Sequence, residues 1–503
     1  MGYFPIFLLL LVALVSCVSP APELPTSIRP NVLFMIADDW SYPHAGDLGD
    51  PVVRTPTFDW IARSGVLFHN AYCASPSCSP SRASILTGKY PHELGAGGNL
   101  WSVYPSNHVN FVDQLRTHGY FTGSSRKGWG PGDYKRAGYE NNPAGQSYSD
   151  FKSFYDQKPS EQPFFFWFGS SDPHRIYETN TGVRSGMDPD KVIVPPFLPD
   201  VPCVRNDILD YYYEVERFDR ECGNIIDFLK SKGELENTLV VITSDNGMPF
   251  PRAKANLYDY GTRMPLAICW FSALRPNQIV QDFVSHVDLA PTIMEAAQVP
   301  IPDDISGSSL LPDQSSNSVR NMVFIERERH ANVRKGDLSY PMRAIRTHEY
   351  LYIRNFEPDR WPAGDPTTHV SVGQYGDVDN SISKFLIMAM ENKKMSPDLF
   401  SLTFAKRPAE ELYDVREDPG NLINLASNAS HESARRELSK ELDSWMISTN
   451  DPRAADPGTI YWDTVEYTPR YQRYDFDLAE ELENYQMEVQ DGGRFVSKAC
   501  EIE

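Results

Sequence analysis

The chain is poor in what would tie it to several large classes of protein. Its 503 residues carry 47 Lys and Arg against 68 Asp and Glu, a net charge of −21. That deficit of positive charge argues against nucleic acid as a partner. An anionic ligand would need a local basic pocket within an acidic surface. Cysteine is also scarce. Of seven cysteines, Cys17 and Cys78 lie in motifs of their own. The other five (Cys73, Cys203, Cys222, Cys269 and Cys500) cannot all pair, so at least one thiol is free and a disulfide scaffold is excluded. Internal repeats and long low-complexity segments are lacking. Long apolar runs are nearly absent: Ile6 to Val15 is too short to span a bilayer comfortably, and no second such run follows.

What is present describes a globular protein, with 41% hydrophobic and 23% charged residues. The length exceeds one ordinary core, so two units are expected. The 40 prolines and 31 glycines imply many loops. Residues 1–17 read as an export signal, although no Lys or Arg precedes the apolar run. Leu14-Val15-Ser16-Cys17 reads equally as a bacterial lipobox, with a lipid anchor on Cys17, and as part of an ordinary signal cut nearby. The expected location is the periplasm, the membrane surface as a lipoprotein, or the medium. A larger unit is expected over 24–319 and a smaller α+β unit over 320–503.

Three short apolar runs have the form of parallel strands buried on both faces: Asn31 to Ala37, Pro163 to Phe168 and Thr238 to Thr243. Each ends abruptly in polar groups: Asp38-Asp39, Asp172-Pro173-His174-Arg175 and Asp245-Asn246-Gly247. Open α/β sheets hold ligands beyond the carboxyl ends of their strands. If the three strands are neighbours, the three sets meet. Taken alone, an Asp pair after a strand serves as a turn or helix cap more often than as a metal site. The apolar spacing from Asp210 to Lys232 predicts a helix closed by Gly233. Strands are expected over Met322 to Glu326, Met342 to Arg346 and Tyr350 to Arg354, and a helix over Glu432 to Met446.

Ser77-Cys78-Ser79-Pro80-Ser81-Arg82 leads into Ala83-Ser84-Ile85-Leu86-Thr87-Gly88. Pro80 suits a first helical turn and Gly88 a stop, so Cys78 stands at a helix N-terminus. A lone cysteine there is usually a buried structural residue. The whole string, however, resembles the defining motif of type I sulfatases, Cys-x-Pro-Ser-Arg followed by Leu-Thr-Gly. Ser339-Tyr340-Pro341-Met342-Arg343, Asn256-Leu257-Tyr258 and Glu411-Leu412-Tyr413-Asp414 add a resemblance to N-sulfoglucosamine sulfohydrolase-like carbohydrate sulfatases. It spans most of residues 30–430.

The resemblance implies an alkaline-phosphatase-like α/β fold: a central, mostly parallel sheet flanked by helices, with a smaller C-terminal α+β subdomain. It implies that Cys78 is converted to formylglycine by a formylglycine-generating or anaerobic sulfatase-maturating enzyme. Arg82 would position the modified side chain. Asp38, Asp39, Asp245, Asn246 and residue 78 would bind calcium, for which oxygen ligands are suited. Hydrated formylglycine would attack sulfur, and its second hydroxyl would expel sulfate. Lys254 falls where the family places a sulfate-binding lysine or arginine, Lys127 matches the lysine of the family's Gly-Lys-x-His loop, and His174 matches the acid that protonates the leaving group. The family's loop histidine after Lys127 is replaced by Gly128-Trp129-Gly130, and His92 or another residue is left to serve as base. The implied substrate is a sulfated glycan, heparan-type or algal. Arg175, Arg327, Arg329, His330 and Arg343 are candidates for its sugar side, although such residues taken one at a time are more often surface or structural. Two other readings stay open: a phosphodiesterase or phosphonate hydrolase of the same superfamily, and an inactive glycan-binding protein. Asp-Asn rather than Asp-His after the third strand disfavours two-metal phosphatases.

Overall fold

A computed structural model describes residues 29–311, 319–367, 373–391 and 398–465, with two short strands near the C-terminus, Met487–Val489 and Phe495–Ser497. The proposed export signal and Cys17 lie outside the described residues. No helix among the described residues is long and apolar enough to cross a membrane.

The centre is a nine-stranded sheet. Its strands are β1 (Asn31–Ala37), β2 (Val66–Tyr72), β3 (Phe121–Arg126), β4 (Gln146–Ser147), β5 (Phe164–Gly169), β6 (Thr238–Ser244), β7 (Arg263–Met264), β8 (Leu266–Cys269) and β9 (Gln278–Ser285). They run in the order β4-β3-β5-β1-β6-β8-β2-β7, with β9 paired to β2. From β4 to β6 every pairing is parallel; β8 and β7 run antiparallel to their neighbours. The three apolar runs form β5, β1 and β6, side by side. They are apolar throughout because both faces are covered. Leu33, Met35, Phe164, Phe166, Val240 and Ile242 enter one core with the long Pro202–Lys232 helix. The alternating residues, including Val32, Phe34, Phe165 and Val241, enter a second core with the Cys78–Thr87 helix.

The long helix begins at Pro202, two turns before the expected Asp210. Its early turns bury Asn206, Asp207 and Asp210, so polar side chains hide the apolar period there. Asp210 accepts from the backbone N–H of Asn180 and Gly182 at 2.8 and 2.9 Å, which accounts for a buried acid at that position.

Four further strands, β10 (Met322–Arg327), β11 (Met342–Thr347), β12 (Tyr350–Asn355) and β13 (Glu410–Asp414), make an antiparallel sheet in sequence order. The Glu432–Ser448 helix packs on it through Leu438, Leu442 and Trp445. The α/β architecture with a mostly parallel centre and a C-terminal antiparallel sheet is the one expected. Cys203 is disulfide-bonded, while Cys73, Cys78, Cys222 and Cys269 are free thiols.

Candidate active site

Four adjacent parallel strands, β3-β5-β1-β6, bring the polar motifs to one edge. Their ends are level: Arg126 pairs with Gly169, Gly169 with Ile36, and Ala37 with Ser244. The chain leaves them as Lys127, as Ser170 to His174, as Asp38-Asp39 and as Asp245-Asn246. The Cys78–Thr87 helix starts in the same space, and the Cys78 thiol donates to Asp38 Oδ1 at 3.5 Å. Gly88, in the left-handed conformation at φ 67, closes the helix with its N–H on Ser84 O.

Arg82 is wholly buried and ties the helix to two strand ends. Its Nε donates to Asp245 Oδ2 at 2.7 Å, and its Nη1 to Lys127 O and Gly128 O at 2.9 Å each. Lys127 Nζ lies 2.5 and 2.7 Å from the two Asp38 oxygens. Lys254 Nζ lies 2.7 Å from Asp39 Oδ2 and 3.2 Å from Asp379 Oδ2. Asp39 holds a left-handed φ of 76°, a strained backbone of the kind that collects at functional sites. His174 Nδ1 donates to Arg175 O at 2.6 Å, which leaves Nε2 toward Asp39 Oδ2 at 3.8 Å.

Asp38, Asp39, Asp245 and Asn246 offer only oxygen donors, a set suited to a hard cation. Asn246 Nδ2 donates to Asp39 Oδ1 at 2.6 Å, while Asn246 Oδ1 is buried with no hydrogen-bond partner. An unmatched buried acceptor among carboxylates fits a cation site. The carboxylates do not share their environment equally. Burial pushes Asp38 up, but Lys127, His174, Arg82 and Lys254 reverse this and hold it well below the usual carboxylate range. Burial pushes Asp245 up to about 6, with Asp38 and Asp39 adding to the rise against Arg82 and Lys127. Burial also drives the Cys78 thiol well above its ordinary value.

Asp39, Asp245 and Asn246 are fully buried, while Asp38, Cys78, Lys127, His174 and Lys254 line a cavity of about 760 Å³. Arg175 and His330 also line it. Arg175 is spoken for: it forms a two-pronged pair with Asp207 at 2.7 and 2.8 Å and lies over the Tyr177 and Phe250 rings. His330 Nδ1 is 2.9 Å from Ser77 Oγ, and burial lowers its pKa to about 3.

Three expectations for the sugar side are corrected. Arg343 is absent from the cavity and fully buried among Glu326, Glu328 and Asp451. Arg327 is sealed against Asp377 and Ala255 O, and Arg329 is buried with Asp337 O and Val465 O. Arg327 ends β10, Arg329 follows it and Arg343 lies in β11, and all three side chains are buried in the protein. His92 is likewise withdrawn as a base, since Glu326 takes its Nδ1 and it does not line the cavity. Where the loop histidine is missing, Trp129 is buried and its Nε1 donates to Ser79 O at 3.1 Å. Trp101, Arg217 and Asp379 are among the cavity residues that escaped sequence reasoning. None of the three lies in a motif or at a strand end, so no signal marked them.

A family model described as Sulfatase matches residues 30–299, and one described as N-sulphoglucosamine sulphohydrolase, C-terminal, matches 252–368. The chain is 30% identical to the N-sulphoglucosamine sulphohydrolase of Homo sapiens, over 86% of this chain and 92% of that one. It is 27% identical to an ulvan-active sulfatase of Formosa agariphila, over 86% and 77%. Among solved structures, a protein in complex with its substrate D-glucosamine-2-N,6-O-disulfate aligns with a TM-score of 0.60 at 19% identity, covering 87% of this chain and 100% of that one. A phosphonate monoester hydrolase from Silicibacter pomeroyi aligns with a TM-score of 0.62 at 17% identity, over 89% and 100%. These two structural likenesses show the fold alone.

Proposed function

The chain belongs to the sulfatase family of sulfuric ester hydrolases, and we propose that it removes sulfate from a sulfated carbohydrate, using formylglycine made from Cys78 and one calcium ion. The observation that carries this reading is the level convergence of four strand-end motifs around Cys78 at the floor of one cavity. The names of the relatives support a glycan as substrate.

Asp38, Asp39, Asp245 and Asn246 would hold the calcium, which supplies positive charge for the sulfate oxygens. The hydrated aldehyde made from Cys78 would supply a nucleophilic oxygen and a second hydroxyl for sulfate release. Arg82 fixes the start of the helix that carries residue 78 and locks it to Asp245. Lys127 and Lys254 present ammonium groups to the cavity as countercharges for sulfate. His174 donates through Nδ1 to a backbone carbonyl, so Nε2 is the atom that carries a proton to the leaving oxygen or nitrogen. The apolar leader supports export, with maturation by a formylglycine-generating or anaerobic sulfatase-maturating enzyme.

The test is sulfate release by protein made alongside a formylglycine-generating enzyme. The panel holds N-sulfated and O-sulfated heparan-type oligosaccharides, ulvan oligosaccharides, an aryl sulfate and an aryl phosphate. Release from a glycan is expected. Turnover of the aryl phosphate alone would replace the reading with a phosphohydrolase of the same fold.

A further inference from the structure

Two carboxylates of the cavity have no task in the chemistry above, Asp172 and Asp379; Asp172 is held in a two-pronged pair by Arg217, which leaves Asp379. It stands just before the Ile382–Ala389 helix, and its place is fixed from both sides. Two residues earlier, the buried Asp377 accepts from Arg327, from Arg334 at 2.6 Å and from the N–H of Ala331 at 3.0 Å. Two residues later, Ser381 caps the helix by accepting from Lys384 N at 3.1 Å. Asp379 therefore reaches the cavity from a braced backbone. Its side chain is 21% exposed there.

Its neighbours narrow its use. A carboxylate of Asp379, a ring nitrogen of His174 and a carboxylate of Asp39 lie within 4.8 Å of one another. Lys254 Nζ contacts both acids, at 3.2 and 2.7 Å, so a second metal would have to displace a lysine. A sulfate brings only acceptors, and an ionised carboxylate is itself acceptor-only. Asp379 thus cannot bind the sulfate; it needs a partner with an N–H or O–H. Its closeness to His174 puts that partner on the leaving-group side. Lys254 offsets the repulsion it would exert on an incoming anion. Apolar wall is supplied by Leu100, Trp101, Ile176 and Ala331, as suits a ring held by a few placed polar groups.

We propose that Asp379 is a specificity residue that accepts a hydrogen bond from an N–H or O–H of the sugar bearing the scissile sulfate. The substrate class is then a sulfated sugar with a donor at or beside the sulfated position. This rests on the sulfatase reading above.

The experiment uses the full matured chain and compares wild type with Asp379→Ala and Asp379→Asn. For each, kcat/KM is measured on an N-sulfated glucosamine oligosaccharide, an O-sulfated one, an ulvan oligosaccharide and 4-nitrophenyl sulfate. The expected result is a fall of about 10- to 100-fold in the ratio of glycan to aryl kcat/KM in Asp379→Ala, the range for a hydrogen bond to a charged group. Asp379→Asn, which keeps an acceptor oxygen and the shape, should recover part of it. A fall confined to the N-sulfated substrate identifies the leaving amine as donor; a fall with O-sulfated substrates identifies a hydroxyl. Equal losses on glycan and aryl sulfate in both variants would overturn the proposal and make Asp379 a support for Lys254. A wild type that releases no sulfate from any of the four would overturn the sulfatase reading itself, and this inference with it.

Discussion

Arg82 and Arg343 are both wholly buried arginines ringed by carboxylates, yet one lies beneath an opening and the other in a sealed knot. Around Arg343 every charge is met. Glu326 and Glu328 lie 2.8 Å away and Asp451 2.6 Å. Arg453 also pairs with Glu328, and His92 with Glu326, both at 2.8 Å. Both ring nitrogens of His92 face acceptors, Glu326 and Thr449 O, an arrangement that favours the imidazolium form. Three carboxylates then balance three cations. Around Arg82 the accounts differ: Asn246 Oδ1 has no partner, Asp245 is pushed up, and the cavity reaches Asp38 and Cys78. Burial and ion pairing are common to both clusters. Unmet bonding capacity beside an opening separates a site from a scaffold.

That contrast can be broken or sharpened by experiment. The largest effect is expected from Cys78→Ser, which should cut sulfate release by roughly 10⁴-fold or more, as loss of a nucleophile does, while leaving the thermal midpoint near that of wild type. Full activity in that variant would sink the formylglycine mechanism. Arg343→Ala should cost about 3–5 kcal/mol of stability, the scale for breaking a buried pair, with KM unchanged in the protein that remains folded. A raised KM at unchanged stability would make the knot part of the binding surface. Chelation by EGTA should abolish turnover and lower the midpoint, and added calcium at 100 times its Kd should restore about 2.7 kcal/mol. Arg343→Ala should keep that calcium response and Asp245→Ala should lose it.

The smallest effect concerns pH. Burial alone would lower the His92 pKa, but Glu326 outweighs it and raises the value above 6.5. The folded state then binds the proton more tightly than the unfolded chain. The stabilisation is complete below about pH 6.5 and is lost as pH climbs through the folded value. The thermal midpoint should drop between pH 6 and 9, and His92→Gln should flatten that slope. An unchanged slope would mean that His92 does not carry the third positive charge of the knot.

Much of the site was legible because its residues follow strands that could not be mistaken. β1, β5 and β6 are buried on both faces and so are apolar at every step, and the first polar residues after them mark the edge. β3 was hidden. Thr122, Gly123, Ser124 and Ser125 carry no apolar run, because aromatic side chains from neighbouring segments fill the space: a Cβ on Gly123 would come within 2.4 Å of the Phe154 ring. β9 was hidden too, since Gln278, Gln281 and Asp282 interrupt the apolar pattern along its exposed half. Arg343 was misread for a different reason. A motif records which residues travel together, and a buried ion knot is as demanding of its residues as a binding site is. Asp379 was unreadable because only the folded chain brings it beside Lys254.

The level ends of the four strands carry a last consequence, for the order in which the molecule comes apart. β1 has hydrogen-bonded strands on both sides and is buried along its whole length. Its amides should be among the slowest to exchange, opening only when the whole domain does. Asp38 and Asp39 are the next two residues of that strand's chain. The acids that would grip the cation are therefore anchored at the edge of the sheet, whereas the apolar rim of Leu100, Trp101 and Ile176 lies in loops, with Asp379 alone braced beside it. On warming, selectivity should drift before the capacity to cleave disappears, and that capacity should vanish together with the fold.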